Sequence, residues 1–260
     1  MIRVIVSGAM GRMGKMIGGL VQAAEDMELV AGIERKEVVD SVKTWNGTDI
    51  PLYASLENAI DKGDVVIEFT NPKTTIEHVR IAKAHKKPMV IGTTGLTDDE
   101  KKTIEDAAVD IPIVLSPNMS KGVNILFKLV EEVARILGEE YDIEIVEMHH
   151  HHKKDAPSGT AKRLGEIIAG VWDKKLDEVG VYGRSGFVGE RKKGELGILA
   201  VRAGDIVGDH TVIFAGPGER LELTHRAHSR EAFANGALGA ARFVVGQKPG
   251  LYGTKEVLGL

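Results

Sequence analysis

The sequence contains no cysteine among its 260 residues. This absence excludes disulfide bonds, thiolate metal sites and any mechanism that needs a cysteine nucleophile, and it is typical of proteins from a reducing compartment. No apolar run approaches the ~20 residues that a membrane-spanning helix needs. The first residues also lack the pattern of a secretory signal peptide. We therefore expect a cytoplasmic protein that does not insert into membranes.

The chain also has little net charge, formally −4 at pH 7. Basic residues lie in short local groups, at residues 86–87, 149–154 and 191–193, and form no continuous stripe. This distribution argues against a general nucleic-acid-binding protein. Hydrophobic residues make up 43% of the chain, which is enough for a substantial core. The length allows either two domains or one large α/β unit.

A glycine-rich segment follows the first apolar run, at residues 2–6, and reads Ser7-Gly8-Ala9-Met10-Gly11-Arg12-Met13-Gly14. Apolar residues at helical spacing come next. The dinucleotide-binding fingerprint is G-x-G-x-x-G between a strand and a helix, and here Met10 replaces the middle glycine. The strand–loop–helix setting favours a dinucleotide-binding turn. The alternative is an ordinary turn with incidental glycines.

Glu34 ends the next predicted strand, about 20 positions beyond the glycines. An acidic residue at this place binds the hydroxyl groups of an adenosine ribose, which favours NADH. Arg35 and Lys36 follow at once and could bind the 2′-phosphate of NADPH, or else lie in a solvated loop. The sequence therefore predicts that both NADH and NADPH serve as cofactors.

Strand and helix patterns alternate as far as residue 120, which is typical of a parallel, doubly wound sheet. Thr97 and Glu100 have the spacing of a capping box at the start of one of these helices. Ligands of such sheets bind at the carboxyl ends of the strands. This rule predicts a rim that joins the glycine-rich loop and Glu34 to Gly92, Thr93, Thr94, Ser116, Pro117, Asn118 and Met119.

The pattern changes in the second half of the chain. A long amphipathic helix is predicted at residues 122–137, and three strands at 198–202, 210–214 and 220–225 follow a second helix. Gly216-Pro217-Gly218 is typical of a hairpin turn between the last two strands. We predict an α+β domain whose sheet is a largely antiparallel meander. Helical spacing resumes from residue 230, in a segment that we expect to return to the first domain.

Residues 147–160 combine four consecutive histidines, two lysines and an aspartate with a Pro-Ser-Gly-Thr turn. Histidine and lysine can transfer protons near neutral pH. Ser158 is a favourable N-cap, and the N–H groups of the helix that it begins could bind a carboxylate. The alternatives are a solvated basic loop and a zinc site. Adjacent histidines on a strand face opposite sides, so they make a poor ligand set, and we predict no metal.

The pattern Glu147-x-His149-His150-x-x-Lys153-x-Asp155-x-Pro157-Ser158-Gly159-Thr160 resembles the signature of the 4-hydroxy-tetrahydrodipicolinate reductase (dihydrodipicolinate reductase) family. That family acts in the diaminopimelate route to lysine. The resemblance covers the whole chain, and it extends to the glycine-rich loop, to Glu34-Arg35 and to the segments at residues 92–95, 118–122, 202–208 and 233–237.

The resemblance implies a Rossmann-like domain formed by residues 1–120 and 231–260. A substrate-binding and oligomerisation domain would be formed by residues 121–230, with a mixed, largely antiparallel sheet. It also implies a homotetramer that pairs the sheets of these second domains. The implied reaction is NAD(P)H-dependent reduction of a cyclic dicarboxylate to tetrahydrodipicolinate with loss of water.

The resemblance further implies a role for each matching residue. His149 corresponds to the proton donor and acceptor, and Lys153 to a second proton donor. His150, Ser158, Gly159 and Thr160 correspond to substrate-binding positions. The remaining matches are cofactor positions: Gly8, Ala9, Met10, Gly11, Arg12, Met13, Glu34, Arg35, Gly92, Thr93, Thr94, Ser116, Pro117, Asn118 and Met119. His151 and His152 have no such role.

Three other functions fit parts of this pattern. The first is a different two-domain NAD(P)-dependent dehydrogenase that acts on a small carboxylated or sugar substrate. The second is a zinc hydrolase that uses the histidines, and the third is a dinucleotide sensor without catalytic activity. Dehydrogenases that need a cysteine nucleophile are excluded by composition.

Overall fold

A computed structural model describes all residues from Met1 to Leu260. The chain forms two compact units, one from Met1–Lys121 with Glu231–Leu260 and the other from Gly122–Arg230. The strands in chain order are β1 (Ile2–Ser7), β2 (Met27–Ile33), β3 (Leu52–Tyr53), β4 (Val65–Glu68), β5 (Met89–Ile91), β6 (Pro112–Leu115), β7 (Asp142–His149), β8 (Gly180–Val181), β9 (Leu196–Arg202), β10 (Gly208–Gly216), β11 (Glu219–Ala227) and β12 (Gly250–Tyr252).

Nine α-helices accompany these strands, and none has the length and apolar character needed to cross a membrane. Short 3₁₀ turns occupy Trp45–Gly47, Leu56–Asn58, Ile60–Lys62 and Gly138–Glu140. The helices are α1 (Arg12–Ala23), α2 (Lys36–Ser41), α3 (Pro72–Ala84), α4 (Asp98–Ala108), α5 (Lys121–Leu137), α6 (Gly159–Val171), α7 (Leu176–Val179), α8 (Glu231–Val244) and α9 (Thr254–Leu258).

The first unit contains a seven-stranded sheet in the order β12-β6-β5-β4-β1-β2-β3, and all of its pairings are parallel. Val4 and Val6 point to the face covered by α1 and α8, whereas Ile5 points to the face covered by α3 and α4. Helices on both faces explain why these strands are apolar at consecutive positions instead of alternate ones. The predicted doubly wound parallel sheet is confirmed.

The glycine-rich loop joins β1 to α1, and at two glycines of this segment a side chain would clash with backbone atoms. Gly8 has a φ of +74°, and a side chain there would also meet the carbonyl oxygen of Phe69 at 2.7 Å. At Gly14 a Cβ would lie 2.1 Å from the carbonyl oxygen of Gly8. The loop therefore turns tightly, and the first turn of α1 packs directly against the backbone of the loop.

The end of the chain completes the first unit. Helix α8 buries Ala237 and Ala241 in the same core cluster as Val4, and β12 adds a parallel edge strand beside β6. The sequence pattern predicted the helix but not β12, because a three-residue strand is too short to show a period.

The second unit has a five-stranded sheet in the order β11-β10-β7-β9-β8. Its core includes Leu126 and Val130 of α5 and Leu164 and Ile168 of α6. Strand β10 is antiparallel to both β11 and β7, whereas β9 is parallel to β7 and to β8. The sheet is therefore mixed, and the predicted meander is wrong for β9, because β7 lies between β9 and β10. The hairpin between β10 and β11 was predicted correctly.

Candidate active site

The histidine segment begins on β7, the middle strand of the second sheet. Register places His149 opposite Arg202 of β9 and Glu147 opposite His210 of β10. Backbone hydrogen bonds then tie the segment to the connection between β9 and β10. The N–H of His150 donates to Ile206, that of His151 to Gly204, and that of Ala203 to His149. The sheet thus gathers residues from three strands at one end of β7.

Glu147 is the centre of this group, and its side chain is fully buried. Arg202 donates to both carboxylate oxygens, at 2.8 Å each, and His149 Nδ1 lies 2.6 Å from Oε2. The backbone N–H of Ser158 donates to Oε1 at 2.9 Å. Burial opposes ionisation of Glu147, but the hydrogen bonds from Arg202, His149 and Ser158 outweigh it and lower the pKa of the carboxyl below its ordinary value of 4.5.

His149 is oriented by this carboxylate. Because Nδ1 is bonded to Glu147, the ring directs Nε2 away from that carboxylate. The ring also lies edge-on to that of His210, with their centroids 5.2 Å apart. A buried carboxylate that fixes one imidazole nitrogen leaves the other available for proton transfer, as in histidine-based acid–base sites.

His210 lies on β10, next to His149 and Ser158, and is itself buried. Burial, together with the nearby His149, lowers its pKa to about 3. The His210 ring is therefore neutral at neutral pH, with Nε2 2.9 Å from the Ser158 hydroxyl. Its Nδ1 has no hydrogen-bond partner in the protein.

Lys153 lies in the turn that follows β7. Its backbone N–H donates to the carbonyl oxygen of His150, and its ammonium lies 2.9 Å from Oδ1 of Asp155. The hydrogen bond from Lys153 lowers the pKa of the Asp155 carboxyl. The Lys153 side chain is 20% exposed and that of Asp155 is 63% exposed, so this ion pair lies at the surface of the unit and can exchange partners with a ligand.

His150 lies among basic side chains. Burial and the nearby Arg230, His152, His149 and Lys153 lower its pKa. Its Nδ1 is buried without a hydrogen-bond partner in the protein. A polar atom of this kind needs a partner from solvent or ligand.

The N terminus of α6 lies next in the chain, with Gly159 and Thr160 in its first turn. Ser158 is its N-cap, as predicted, and its hydroxyl accepts from the backbone N–H of Ala161. The same hydroxyl is bonded to His210, and the residue is only 2% exposed. Within the protein, the Ser158 hydroxyl thus contacts both the first turn of α6 and His210. The substrate-binding role of Ser158 stays a prediction.

The other two histidines do not complete a metal site. His151 Nδ1 lies 2.8 Å from the carbonyl oxygen of Gly204, and the centroid of its ring lies 3.9 Å from that of His152, with the two planes tilted by 51°. No group of three or more histidine, aspartate or glutamate side chains is arranged to hold a metal ion.

In the first unit, a cavity of about 360 Å³ lies at the carboxyl ends of β1, β2 and β4. Of the predicted cofactor residues it is lined by Gly8, Gly11, Glu34 and Arg35. Glu34 accepts from the backbone N–H groups of Met10 and Arg35, at 3.1 and 3.0 Å. This anchors the acidic side chain to the glycine-rich loop. The Arg35 side chain is 80% exposed, and its Nε lies 3.8 Å from Oε1 of Glu34.

The other predicted cofactor residues line no part of this cavity. Ala9 is buried, Arg12 is exposed, and Met10 and Met13 pack against the core. Thr93 is buried and accepts from Thr70 N–H and the Thr75 hydroxyl, while the Ser116 hydroxyl donates to the Asn118 carbonyl. Met119 is buried, Gly92 packs against the Phe69 ring, and Thr94 and Pro117 are exposed.

Profiles of two family domains match the chain from end to end. "Dihydrodipicolinate reductase, N-terminus" matches residues 2–119, and "Dihydrodipicolinate reductase, C-terminus" matches residues 122–258. The chain belongs to the dihydrodipicolinate reductase family. The second profile runs without a break across residue 231, where the structure returns from the second unit to the first.

Relatives of this family are similar over their full length. The 4-hydroxy-tetrahydrodipicolinate reductase of Syntrophus aciditrophicus is 48% identical over 100% of this chain and 99% of its own. That of Syntrophobacter fumaroxidans is 47% identical over 100% of both. The dipicolinate-bound dihydrodipicolinate reductase of Paenisporosarcina sp. TG-14 has a TM-score of 0.80 at 27% identity and covers 98% of each chain.

A structure of C. glutamicum DAP dehydrogenase in complex with DAP has a TM-score of 0.58 at 14% identity, covering 98% of this chain and 93% of that one. At this identity the likeness shows the fold alone.

Three residues of this candidate site are not predicted from the sequence. Glu147 enters only as the first residue of the histidine motif, Arg202 only as part of a matching segment, and His210 only as a strand residue. An available signal was the placement of charged or polar residues at inward positions of apolar strands, where they need buried partners.

Proposed function

We propose that this chain catalyses the NAD(P)H-dependent reduction of 4-hydroxy-tetrahydrodipicolinate to tetrahydrodipicolinate, with loss of water, in lysine biosynthesis by the diaminopimelate pathway. The observation that carries the proposal is the network of Glu147, Arg202 and His149 beside Lys153 and the N terminus of α6. It brings an oriented imidazole, an ammonium group and a helix N terminus together in one unit.

The first unit fits a dinucleotide through its own residues. The Gly8–Gly11 turn presents backbone where a side chain would obstruct a pyrophosphate, and Glu34 offers carboxylate lone pairs to ribose hydroxyls. Arg35 supplies the positive charge that a 2′-phosphate needs, so we propose that both NADH and NADPH are used. The reduced nicotinamide supplies the hydride. The protein's task in this unit is to bind and orient the dinucleotide.

The second unit supplies the proton. Hydride addition to a conjugated imine places negative charge on the ring, and a neighbouring cation both stabilises that charge and protonates it. We assign this role to the Lys153 ammonium and to His149, whose Nδ1 is held by Glu147. Arg202 keeps Glu147 anionic, so the carboxylate stabilises a positive charge on His149 when the ring is protonated.

The carboxylates of the substrate need donors and positive potential. We propose that Gly159 and Thr160 provide these at the N terminus of α6, where the helix dipole favours an anion. His150 contributes the unpartnered Nδ1 described above. Ser158 and His210 hold this end of the helix in position through the hydrogen bond between them.

The proposal is tested with Lys153→Ala and the neighbouring Lys154→Ala. Lys154 is exposed and forms no ion pair, so it is a matched control for loss of one surface charge. We expect Lys153→Ala to lower kcat by about 10²-fold or more, the range for a lost general acid. Lys154→Ala should stay within about twofold of the parent. Oxidation of NADH and NADPH with the dipicolinate precursor is the assay, and equal rates for the two variants would refute the role of Lys153.

We further propose that the second unit mediates assembly into a homotetramer. The side of its sheet that faces away from the core carries Leu199 and Val201, which are 37% and 39% exposed. Both residues line a cavity, together with Ile198, Ala200, Ala156, Pro157, Tyr182 and Gly183. Apolar surface of this kind is typical of subunit contacts. A Val201→Asp variant should sediment as a smaller species than the parent in analytical ultracentrifugation, and an unchanged tetramer would contradict this surface as the interface.

A further inference from the structure

A second buried polar group lies in the first unit, at the base of the nucleotide cavity. Ser7 ends β1, Glu68 ends β4, and His78 projects from α3. Ser7 and Glu68 are 0% exposed and His78 is 4% exposed. Ser7 and His78 both line the cavity that Glu34 and Arg35 also line. No role in the proposed hydride or proton transfer uses these three residues.

The hydrogen bonds of this group fix the histidine ring. His78 Nδ1 lies 2.6 Å from Oε2 of Glu68 and 3.1 Å from the Ser7 hydroxyl. The hydroxyl of Thr70 donates to the other carboxylate oxygen of Glu68. His78 is the basic side chain that pairs with Glu68, with no lysine or arginine beside it. A carboxylate at Nδ1 places a proton on that nitrogen and sets the ring orientation.

The other ring nitrogen of His78, Nε2, is the atom that could bind a ligand. Nε2 of His78 makes no hydrogen bond within the protein, since both of the ring's hydrogen bonds use Nδ1. Polar atoms inside proteins find partners in the great majority of cases. A histidine that lines a cavity, has its Nδ1 held by a buried carboxylate and keeps Nε2 without a partner is a built recognition site and not only a means of joining α3 to the sheet.

The cavity also indicates which part of a dinucleotide this nitrogen meets. Glu34 follows β2, and an acidic residue there binds the ribose of the adenosine half. Ala54, which follows β3, completes the same side of the cavity. His78 shares this space with Glu34.

We propose that His78 binds the adenosine half of the cofactor through Nε2, with Glu68 and Ser7 as positioning residues. The inference rests on the proposed function, because it requires that this cavity take a dinucleotide. It adds a specificity-determining residue on α3, outside the glycine-rich loop and the Glu34-Arg35 pair.

Two substitutions separate recognition from packing. In His78→Asn the amide nitrogen takes approximately the place of Nδ1, so the bond to Glu68 is kept and Nε2 is lost. In His78→Gln the side-chain amide reaches approximately the place of Nε2 and can present its oxygen or its nitrogen there, and the bond to Glu68 is lost. His85→Asn is the matched control, since His85 caps the end of the same helix and pairs with Glu57 and Asp61 outside the cavity.

The measurements are Kd for NADH and for ADP-ribose by isothermal titration, together with Tm, on the full chain. We expect His78→Asn to bind both ligands about tenfold more weakly, the effect of one lost hydrogen bond in a cavity, with Tm close to that of the parent. His78→Gln should bind more tightly than His78→Asn and melt at a lower temperature. His85→Asn should leave both Kd values unchanged.

Each alternative result has a distinct meaning. Equal Kd values for the parent and His78→Asn would overturn the role of His78 and leave the proposed function standing. Weaker binding of NADH with unchanged binding of ADP-ribose would overturn the assignment to the adenosine half. A parent protein that binds no dinucleotide would overturn both proposals together.

A second measurement keeps the test decisive if His78→Asn does not fold. In the parent protein labelled with ¹⁵N-histidine, ADP-ribose should shift the His78 Nε2 resonance and leave Nδ1 nearly unmoved, because Nδ1 keeps its bond to Glu68. An unmoved Nε2 resonance at saturating ADP-ribose would overturn the proposal.

Discussion

The two units each contain a fully buried glutamate paired with a histidine. In both pairs histidine Nδ1 lies 2.6 Å from a carboxylate oxygen, and both glutamates are 0% exposed. They differ in what else holds the carboxylate. Glu147 accepts from both terminal nitrogens of the Arg202 guanidinium and from a backbone N–H, whereas Glu68 accepts from His78 and the Thr70 hydroxyl.

This difference determines what each histidine is free to do. Arg202 compensates the charge of Glu147 whether or not His149 carries a second proton, so His149 can gain and lose a proton while its carboxylate stays in place. Glu68 has no arginine, so its buried charge depends on His78. The same pair therefore suits acid–base chemistry in one unit and a histidine ring of fixed orientation in the other.

The largest effect should come from removing the arginine. Arg202→Met keeps the aliphatic length but leaves Glu147 buried without its main counter-charge, so we expect the free energy of unfolding to fall by about 3 kcal/mol. Urea unfolding measures this change. Adding Glu147→Gln to Arg202→Met should recover most of the loss, because no buried charge then remains.

Arg226→Met is the matched control for that measurement. Arg226 lies 3.6 Å from Asp209, but its side chain is 64% exposed, so the loss should stay below about 0.5 kcal/mol. If Arg202→Met and Arg226→Met lower the free energy of unfolding by similar amounts, then the presence of Arg202 is not what distinguishes Glu147 from Glu68.

A smaller effect is expected at the other pair. Thr70→Val preserves shape and removes the hydroxyl that donates to Glu68, leaving one buried carboxylate oxygen without a donor. We expect the free energy of unfolding to fall by about 2 kcal/mol in the absence of cofactor. Thr211→Val serves as control, because the hydroxyl of Thr211 pairs with that of Thr224 at an exposed position. A loss at Thr70 no greater than at Thr211 would mean that Glu68 does not rely on this donor.

The smallest effect concerns His210 and pH. Its pKa is about 3 in the folded protein, against 6.5 ordinarily, mainly because of burial. As pH falls through 6.5, His210 binds a proton in the unfolded chain but not in the folded chain. Stability therefore decreases with falling pH in this window. Between pH 7.5 and pH 5.5, His210 lowers the free energy of unfolding by about 1.4 kcal/mol.

Comparison with His210→Asn isolates this proton from those of other groups. Urea unfolding of the parent and the variant at both pH values should show a pH-dependent loss that is smaller in the variant by that amount. Identical losses in the two proteins would exclude His210 as the source.

The sequence predicted the parts of this protein that depend on local patterns. The capping box of Thr97 and Glu100, the N-cap at Ser158 and the hairpin before Glu219 are all present. Each involves residues within a few positions of each other, and so leaves a readable signal.

The predictions failed where long-range pairing decides the outcome. Nothing local to β9 shows that it pairs in parallel with β7, about 50 positions away, instead of with β10. The contacts of Glu147 with Arg202 and of Glu68 with His78 likewise join separate elements. His78 follows an ordinary helical pattern and gives no sign of its carboxylate partner.

The return of the chain at Glu231 affects how the protein is made. When the ribosome has synthesised residues as far as Arg230, every residue of the second unit exists, but the first unit still lacks α8 and β12. The apolar face that α8 will cover, around Ile17 and Val21, has no partner helix until the 14 residues of α8 emerge. The earliest segment of the chain is thus among the last to reach its final structure, and a nascent chain halted near residue 230 would expose the core of its oldest part to chaperones and proteases.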